Sequence, residues 1–221
     1  MFQLKSKFAQ WVTLLFLAFL WGSSFFLMKR GLETYTNMQV AAFRMLVASL
    51  AVVPWVWKYR HHFVGKHFKW ILVVALFGNG IPAFLFTKAQ TVLDSSITGM
   101  LNSLVPLFTL MIGLLAFRMR TELSKVIGIV IGLAGALLMI WADGIESPGD
   151  DWMYTGFVII ASLCYALSVN AMKYRLQGVD SMAITALALM MVGPLCGIWL
   201  FTTDFTERVV SDGPTKWPQW E

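Results

Sequence analysis

Seven apolar stretches, at 11–28, 37–57, 70–92, 96–117, 123–141, 152–172 and 182–203, follow one another with only short polar segments between them. Each is close to the ~20 residues a helix needs to cross the hydrocarbon core of a bilayer. A soluble domain has nowhere to bury that much apolar surface. In lipid, every backbone N–H and C=O of a crossing segment must be satisfied within the protein, so runs of this length become helices. The sequence therefore predicts an all-α, polytopic transmembrane helix bundle. A hydrophobic fraction of 58% and a mean hydropathy of +0.69 agree.

The basic residues orient the bundle. With the N-terminus inside, the inner segments hold Lys5, Lys7, Lys58, Arg60, Lys66, Lys69, Arg118, Arg120, Lys125, Lys173 and Arg175. The outer segments and outer helix ends hold Lys29, Arg30, Lys88, Arg208 and Lys216. This excess on one side is the bias of a protein with a cytoplasmic N-terminus. Most of the acids, among them Asp143, Glu146, Asp150 and Asp151, fall on the other side. The net charge of +5 is thus explained by topology, with the lipid bilayer as partner and no nucleic acid implied. Trp11, Trp55, Trp57, Trp70, Trp141, Trp152 and Trp199 lie near span ends as an interface belt, whereas Trp21 falls near mid-span. Cys164 and Cys196 sit inside apolar runs, which argues against a disulfide framework. Lys5 and Lys7 imitate a signal peptide, but the run after them lacks a small-residue cleavage site and reads as a retained first span.

The acidic, turn-rich segment at 142–151 separates five spans from two. Shifting the chain by 144 residues pairs Met28-Lys29 with Met172-Lys173, Leu32 with Leu176, Met38 with Met182 and Trp21 with Tyr165. The expected organisation is a first repeat at 1–142, an outer linker at 143–151 and the start of a second repeat at 152–221. A unit of five spans is odd, so its second copy is inserted upside down, the symmetry of transporters that open to either side. Trp217-Pro218-Gln219-Trp220 resembles His67-Phe68-Lys69-Trp70, the lead-in to span three. The sequence therefore reads as a fragment that stops before an eighth span, with seven of an expected ten. Expected helix N-caps are Asn37, Asp94 or Ser95, Thr121, Asp151 and Ser181.

Several segments together resemble the drug/metabolite transporter superfamily, specifically its EamA-like family. They are Trp21-Gly22-Ser23-Ser24-Phe25, Ala42-Phe43-Arg44-Met45, Asn102-Ser103-Leu104-Val105-Pro106 and the Gly128, Gly132, Gly135 pattern. The resemblance runs along the whole chain. It implies ten helices in two inverted repeats with a substrate cavity between them, a multi-pass place in a cell membrane such as a bacterial inner membrane, and transport of amino acids, metabolites, nucleobases or drugs.

Arg44 is the leading candidate for solute contact. It lies ~10 Å below the outer end of span two, where a cation costs at least ~2.5 kcal/mol and so faces a cavity or a partner. The alternative is a structural arginine bonded to backbone carbonyls. No predicted span carries an Asp or Glu in its interior, so a cavity around Arg44 favours anionic, zwitterionic or neutral solutes and offers no carboxylate for proton coupling. Trp21 and Ser24 could line that cavity or could serve close helix packing. Asn79 and Pro82 interrupt span three, and Asn102 and Pro106 interrupt span four, as kinks or as solute contacts. Tyr165 and Asn170 on span six are either cavity groups or interhelical hydrogen bonders. Lys88 is expected to reach the interface. Gly128, Gly132 and Gly135 share one helical face, a packing groove for a neighbouring helix or another subunit. His61, His62 and His67 lie in a basic loop and read as headgroup contacts, not metal ligands, and no cofactor is called for.

These features favour a transporter, exporter or facilitator, of small organic solutes working by alternating access. A seven-helix receptor conflicts with a cytoplasmic N-terminus and a five-span repeat. A membrane-embedded enzyme would need convergent nucleophiles, carboxylates or metal ligands that the inner loops lack.

Overall fold

Every apolar run that the computed structural model describes is helical, and the polar groups at the run ends explain where each helix begins. The structure describes residues 6–59, 67–116, 122–142 and 151–212. His61, His62, the Thr121 cap, the linker at 143–150 and the Trp217–Glu221 ending lie outside them. Among the described residues there is no strand.

Helix α1 (Lys7–Gly31) is one unbroken span of 25 residues. The second span is two helices, α2 (Asn37–Ala51) and α3 (Val53–Tyr59), meeting at an angle of 58°. Pro54, second in α3, has no N–H to continue the ladder, which accounts for the bend. The third span joins α4 (Phe68–Ala75) to α5 (Ile81–Ala89) through a π-helical turn at Leu76–Gly80. Pro82 opens α5 just after that turn, and Asn79 Nδ2 donates to the Val74 carbonyl at 3.2 Å inside it. The fourth span is α6 (Ser95–Asn102) and α7 (Val105–Leu115), interrupted at Ser103 and Leu104 ahead of Pro106. Helices α8 (Leu123–Ala142), α9 (Asp151–Arg175) and α10 (Ser181–Phe201) follow. Five continuous stretches are long and apolar enough to cross a membrane, and the bent α2–α3 pair makes a sixth. The 20 residues of α8 are also enough to cross.

Two caps sit one residue earlier than the sequence reading expects. Thr36, not Asn37, caps α2, because Gln39 reaches back to the Thr36 N–H while the Thr36 hydroxyl accepts from the Gln39 N–H. Asp180, not Ser181, caps α10 by accepting from the Met182 N–H at 2.9 Å. Asp94 holds the cap position of α6, but its carboxylate lies 3.6 Å from Lys29 Nζ and makes no cap bond.

The core has two parts. One is the α2–α10 interface with α4, built on Ala41, Ala42, Met45, Ile71, Leu187 and Ala188. At its tightest point a Cβ on Gly193 would overlap Ser49 and come within 2.9 Å of the Met45 carbonyl oxygen. The other part joins α1, α5, α6 and α9 through Met28, Phe86, Leu101, Val158 and Ala161. Here a Cβ on Gly78 would overlap Ser168, so the π-helical turn lies directly against α9. Helices α1 and α8 flank this core, and most of their described apolar side chains are exposed.

Polar bonds tie each end of the bundle. At the basic end, Tyr59 donates to Asp180 Oδ2 at 2.8 Å and the Arg175 guanidinium stacks 4.9 Å from the Trp70 ring centroid. At the opposite end, Lys29 Nζ donates to the carbonyls of Gln90 and Leu93 at 3.1 and 3.0 Å. There Gln39 donates to Asp204 Oδ1 at 2.8 Å. Lys88 lies over the Tyr154 ring, 5.8 Å from its centroid. A short helix unforeseen in the sequence, α11 (Phe205–Asp212), folds back here, with Phe205 against Tyr35 and Phe43 and Arg208 paired with Asp204 at 2.6 Å.

Candidate functional site

A cavity of 330 Å³ lies between α1, α2, α5, α6, α7 and α9. Its polar lining is Trp21, Ser24, Arg44, Asn102 and Tyr165, candidates drawn from four separate stretches of chain. Its apolar lining is Phe25, Met28, Phe86, Val105 and Val169. The aromatic wall is continuous: Phe25 meets Phe86 edge-on at 5.6 Å, and Phe86 stacks on Tyr165 at 5.7 Å. Trp21 stands at the rim, 64% exposed.

Arg44 reaches this cavity because Ala41, Ala42 and Met45 turn the rest of α2 into the core, leaving position 44 toward α1. Its guanidinium donates to Ser24 Oγ at 3.3 Å and to the Met28 thioether sulfur. A thioether is a weak acceptor, and a guanidinium carries five N–H donors. Most of that donor capacity therefore has no protein acceptor among the described residues. None of the described residues lining the cavity is acidic. Asn102 Oδ1 is buried without a hydrogen-bond partner among the described residues. A buried orphan of this kind calls for water or a ligand group. The cavity thus combines one cation, hydroxyl and amide groups, and a flat aromatic wall, a set that can hold an anionic or dipolar group beside an apolar one.

Two candidates fall elsewhere. Asn79 spends its amide on the Val74 carbonyl within the widened turn of its own span and does not line the cavity. Asn170 is buried and donates to the carbonyls of Thr109 and Ala166, both at 2.9 Å, so it joins α9 to α7. Gly128, Gly132 and Gly135 have open space around them, and within the described chain nothing packs on that face. Sequence reasoning missed Met28, the arginine's sulfur partner, and Phe86, the centre of the aromatic wall. Neither carries a signal in sequence, since both residue types fill apolar spans everywhere. It also missed Gln39 and Gln90, although the Thr36-x-x-Gln39 spacing is a readable capping box. Gln90 donates to the Phe25 carbonyl at 3.2 Å and Ser95 does the same at 3.2 Å, fixing α1 against the start of α6 beside the cavity.

The profile of the EamA-like transporter family matches residues 9–141 of the chain. An uncharacterized transporter of Archaeoglobus fulgidus is 21% identical over 188 residues, covering 82% of this chain and 64% of that protein. The uncharacterized inner membrane transporter YedA of Escherichia coli is 26% identical over 190 residues, or 80% of this chain and 60% of YedA. A WAT1-related protein of Arabidopsis thaliana is 27% identical over 147 residues, or 61% of this chain and 41% of its own length. The chain matches at most 64% of the length of these relatives. No solved structure matches it.

Proposed function

Since the chain belongs to the EamA-like transporter family, we propose that it carries small neutral, zwitterionic or anionic organic solutes across a membrane by alternating access. The observation that supports this most is the Arg44 guanidinium, bordering an aromatic-walled cavity whose described lining holds no carboxylate. A negative group docks on Arg44 with Ser24 and Asn102 alongside, while Phe86, Tyr165 and Trp21 face the apolar remainder of the solute. Alternating access draws on the 144-residue repeat, which brings Trp21 and its counterpart Tyr165 to the same cavity. The two halves differ at the charge itself, because the counterpart of Arg44 is Ala188, fully buried in the α2–α10 core.

The test is uptake into proteoliposomes of amino acids, organic anions, nucleobases and organic cations. Anions or zwitterions are expected to be carried in preference to cations. Arg44→Ala, inserted at the wild-type level, is expected to reduce their transport by ~10-fold or more, the loss expected for one hydrogen bond to a charged group. Preferred transport of cations, or unchanged kinetics in Arg44→Ala, overturns the reading and leaves Arg44 a structural residue.

A further inference from the structure

A second cavity, of 580 Å³, lies between α7, α8 and α9 and adjoins the first across Val105 and Val169, which border both. Its walls are apolar, formed by Val105, Pro106, Leu110, Ile129 and Val169. Two cations, Lys125 and Lys173, stand at one end of it. Lys125 is the third residue of α8 and Lys173 the third from the end of α9. Since consecutive spans run in opposite directions, both belong to the basic end of the bundle. From there the wall follows Val169 on α9 and Leu110 back to Val105 on α7, a descent on the order of 10 Å toward mid-span. At that depth Asn170 has already given its amide to Thr109 and Ala166. The slot is therefore apolar inside and positively charged at its mouth. It also opens sideways: a Cβ on Gly128 would meet nothing within 4 Å, and the neighbouring Ile127 and Ile131 are exposed.

We propose that this slot binds an anionic phospholipid, with an acyl chain along Val105, Leu110, Ile129 and Val169 and the phosphate between Lys125 and Lys173. The charge at the mouth selects the occupant. A neutral acyl chain or a second helix would fill the apolar part equally well, but neither would use two ammonium groups contributed by facing helices. Lys125 already lies 3.6 Å from Glu122, and Lys173 lies over the Tyr174 ring at 5.4 Å. The Lys125–Glu122 pair is well exposed, and such an ion pair exchanges at little cost, so a phosphate can compete for Lys125. Basic pockets between membrane helices are where anionic headgroups bind, and each lysine adds to the attraction.

Native mass spectrometry of the detergent-purified protein, titrated with dioleoylphosphatidylglycerol or dioleoylphosphatidylcholine, tests this. The phosphatidylglycerol adduct is expected to persist in preference to phosphatidylcholine, and inorganic phosphate is expected not to displace it. Lys125→Gln/Lys173→Gln is expected to weaken phosphatidylglycerol binding by ~25-fold, roughly fivefold per lysine. Lys58→Gln/Lys69→Gln, which removes the same charge from the same end outside the slot, is expected to change it little. Gly128→Leu keeps both lysines, fills the slot and is expected to abolish retention of either lipid with thermal stability preserved. Equal retention of the two lipids, an equal loss in the Lys58/Lys69 control, or displacement by phosphate would overturn the proposal. So would a Gly128→Leu protein that keeps its lipid and changes only its oligomeric state. If the double glutamine variant does not fold, the wild-type lipid preference and its loss in Gly128→Leu decide the matter.

Discussion

Single residues divide between those whose chemistry is visible in the sequence and those defined by a neighbour. Arg44 stands out in any reading, because a guanidinium deep in an apolar run must find a partner or a cavity. Its contacts with Met28 and Ser24 were invisible, since a methionine and a serine in a membrane helix fit many roles. Asp180 is a case where the neighbour sets the chemistry. The Met182 N–H, followed by the Tyr59 hydroxyl, holds its carboxyl below the ordinary carboxylate range. A group with a lowered folded value adds stability above its unfolded pKa of about 4, and that stability is lost as pH falls through the folded value. Asp180→Ala is therefore expected to melt at a lower temperature than wild type at pH 7. The difference should shrink toward zero as the pH is taken well below about 4. Intrinsic-fluorescence melts across that range check it, and a pH-independent difference would show that the charge of Asp180 plays no part.

At the scale of helices, spacing alone does not say which glycine faces are packed within the described chain. Gly128, Gly132 and Gly135 form a regular face on α8, yet each looks onto open space. Gly193 and Gly197 on α10, four residues apart and so on one helical face as well, are where α2 approaches closely: a Cβ on Gly197 would lie 2.7 Å from Leu46 Cδ1. The reason is that a helical repeat defines a face but says nothing of what lies opposite it. Gly193→Val is thus expected to destabilise the protein by ~1–3 kcal/mol or prevent its assembly, as overpacking of a dense interface does. Gly132→Val on the open face is expected to cost little. Thermal melts of the two variants in one detergent compare them directly, and equal stability would contradict the packing described. The kinks are better encoded. Pro54, Pro82 and Pro106 each lack a donor, and each stands at or beside a bend, a π-helical turn or a helix break.

For the molecule as a whole, the described Lys58, Lys69, Lys125, Lys173 and Arg175 collect at one end of the bundle. Arg175 and Trp70, or Tyr59 and Asp180, meet at one end, while Lys29 and Asp94, or Gln39 and Asp204, meet at the other. With the basic end inside, a Cys at Gln177 is expected to react only from the cytoplasmic side and a Cys at Thr91 only from outside. Labelling of intact cells with a membrane-impermeant maleimide distinguishes the two, and the reverse pattern would invert the bundle.

The sequence by itself determined that this chain crosses a membrane as a helix bundle, which segments cross, and which ends share a sign of charge. These properties are local and additive: hydrocarbon demands apolar side chains and internally satisfied backbone in every segment, whatever its neighbours. The sequence also marked Trp21, Ser24, Arg44, Asn102 and Tyr165 as polar groups in apolar surroundings. Only the tertiary structure decided that these five border one cavity, that Asn79 and Asn170 are consumed by carbonyls, and that Phe86 and Met28 complete the wall. Those outcomes depend on how each helix is rotated and how closely it approaches the next. In lipid that is settled by van der Waals fit between particular surfaces, such as Gly193 against Ser49 and Gly78 against Ser168, and not by the hydropathy of any one segment.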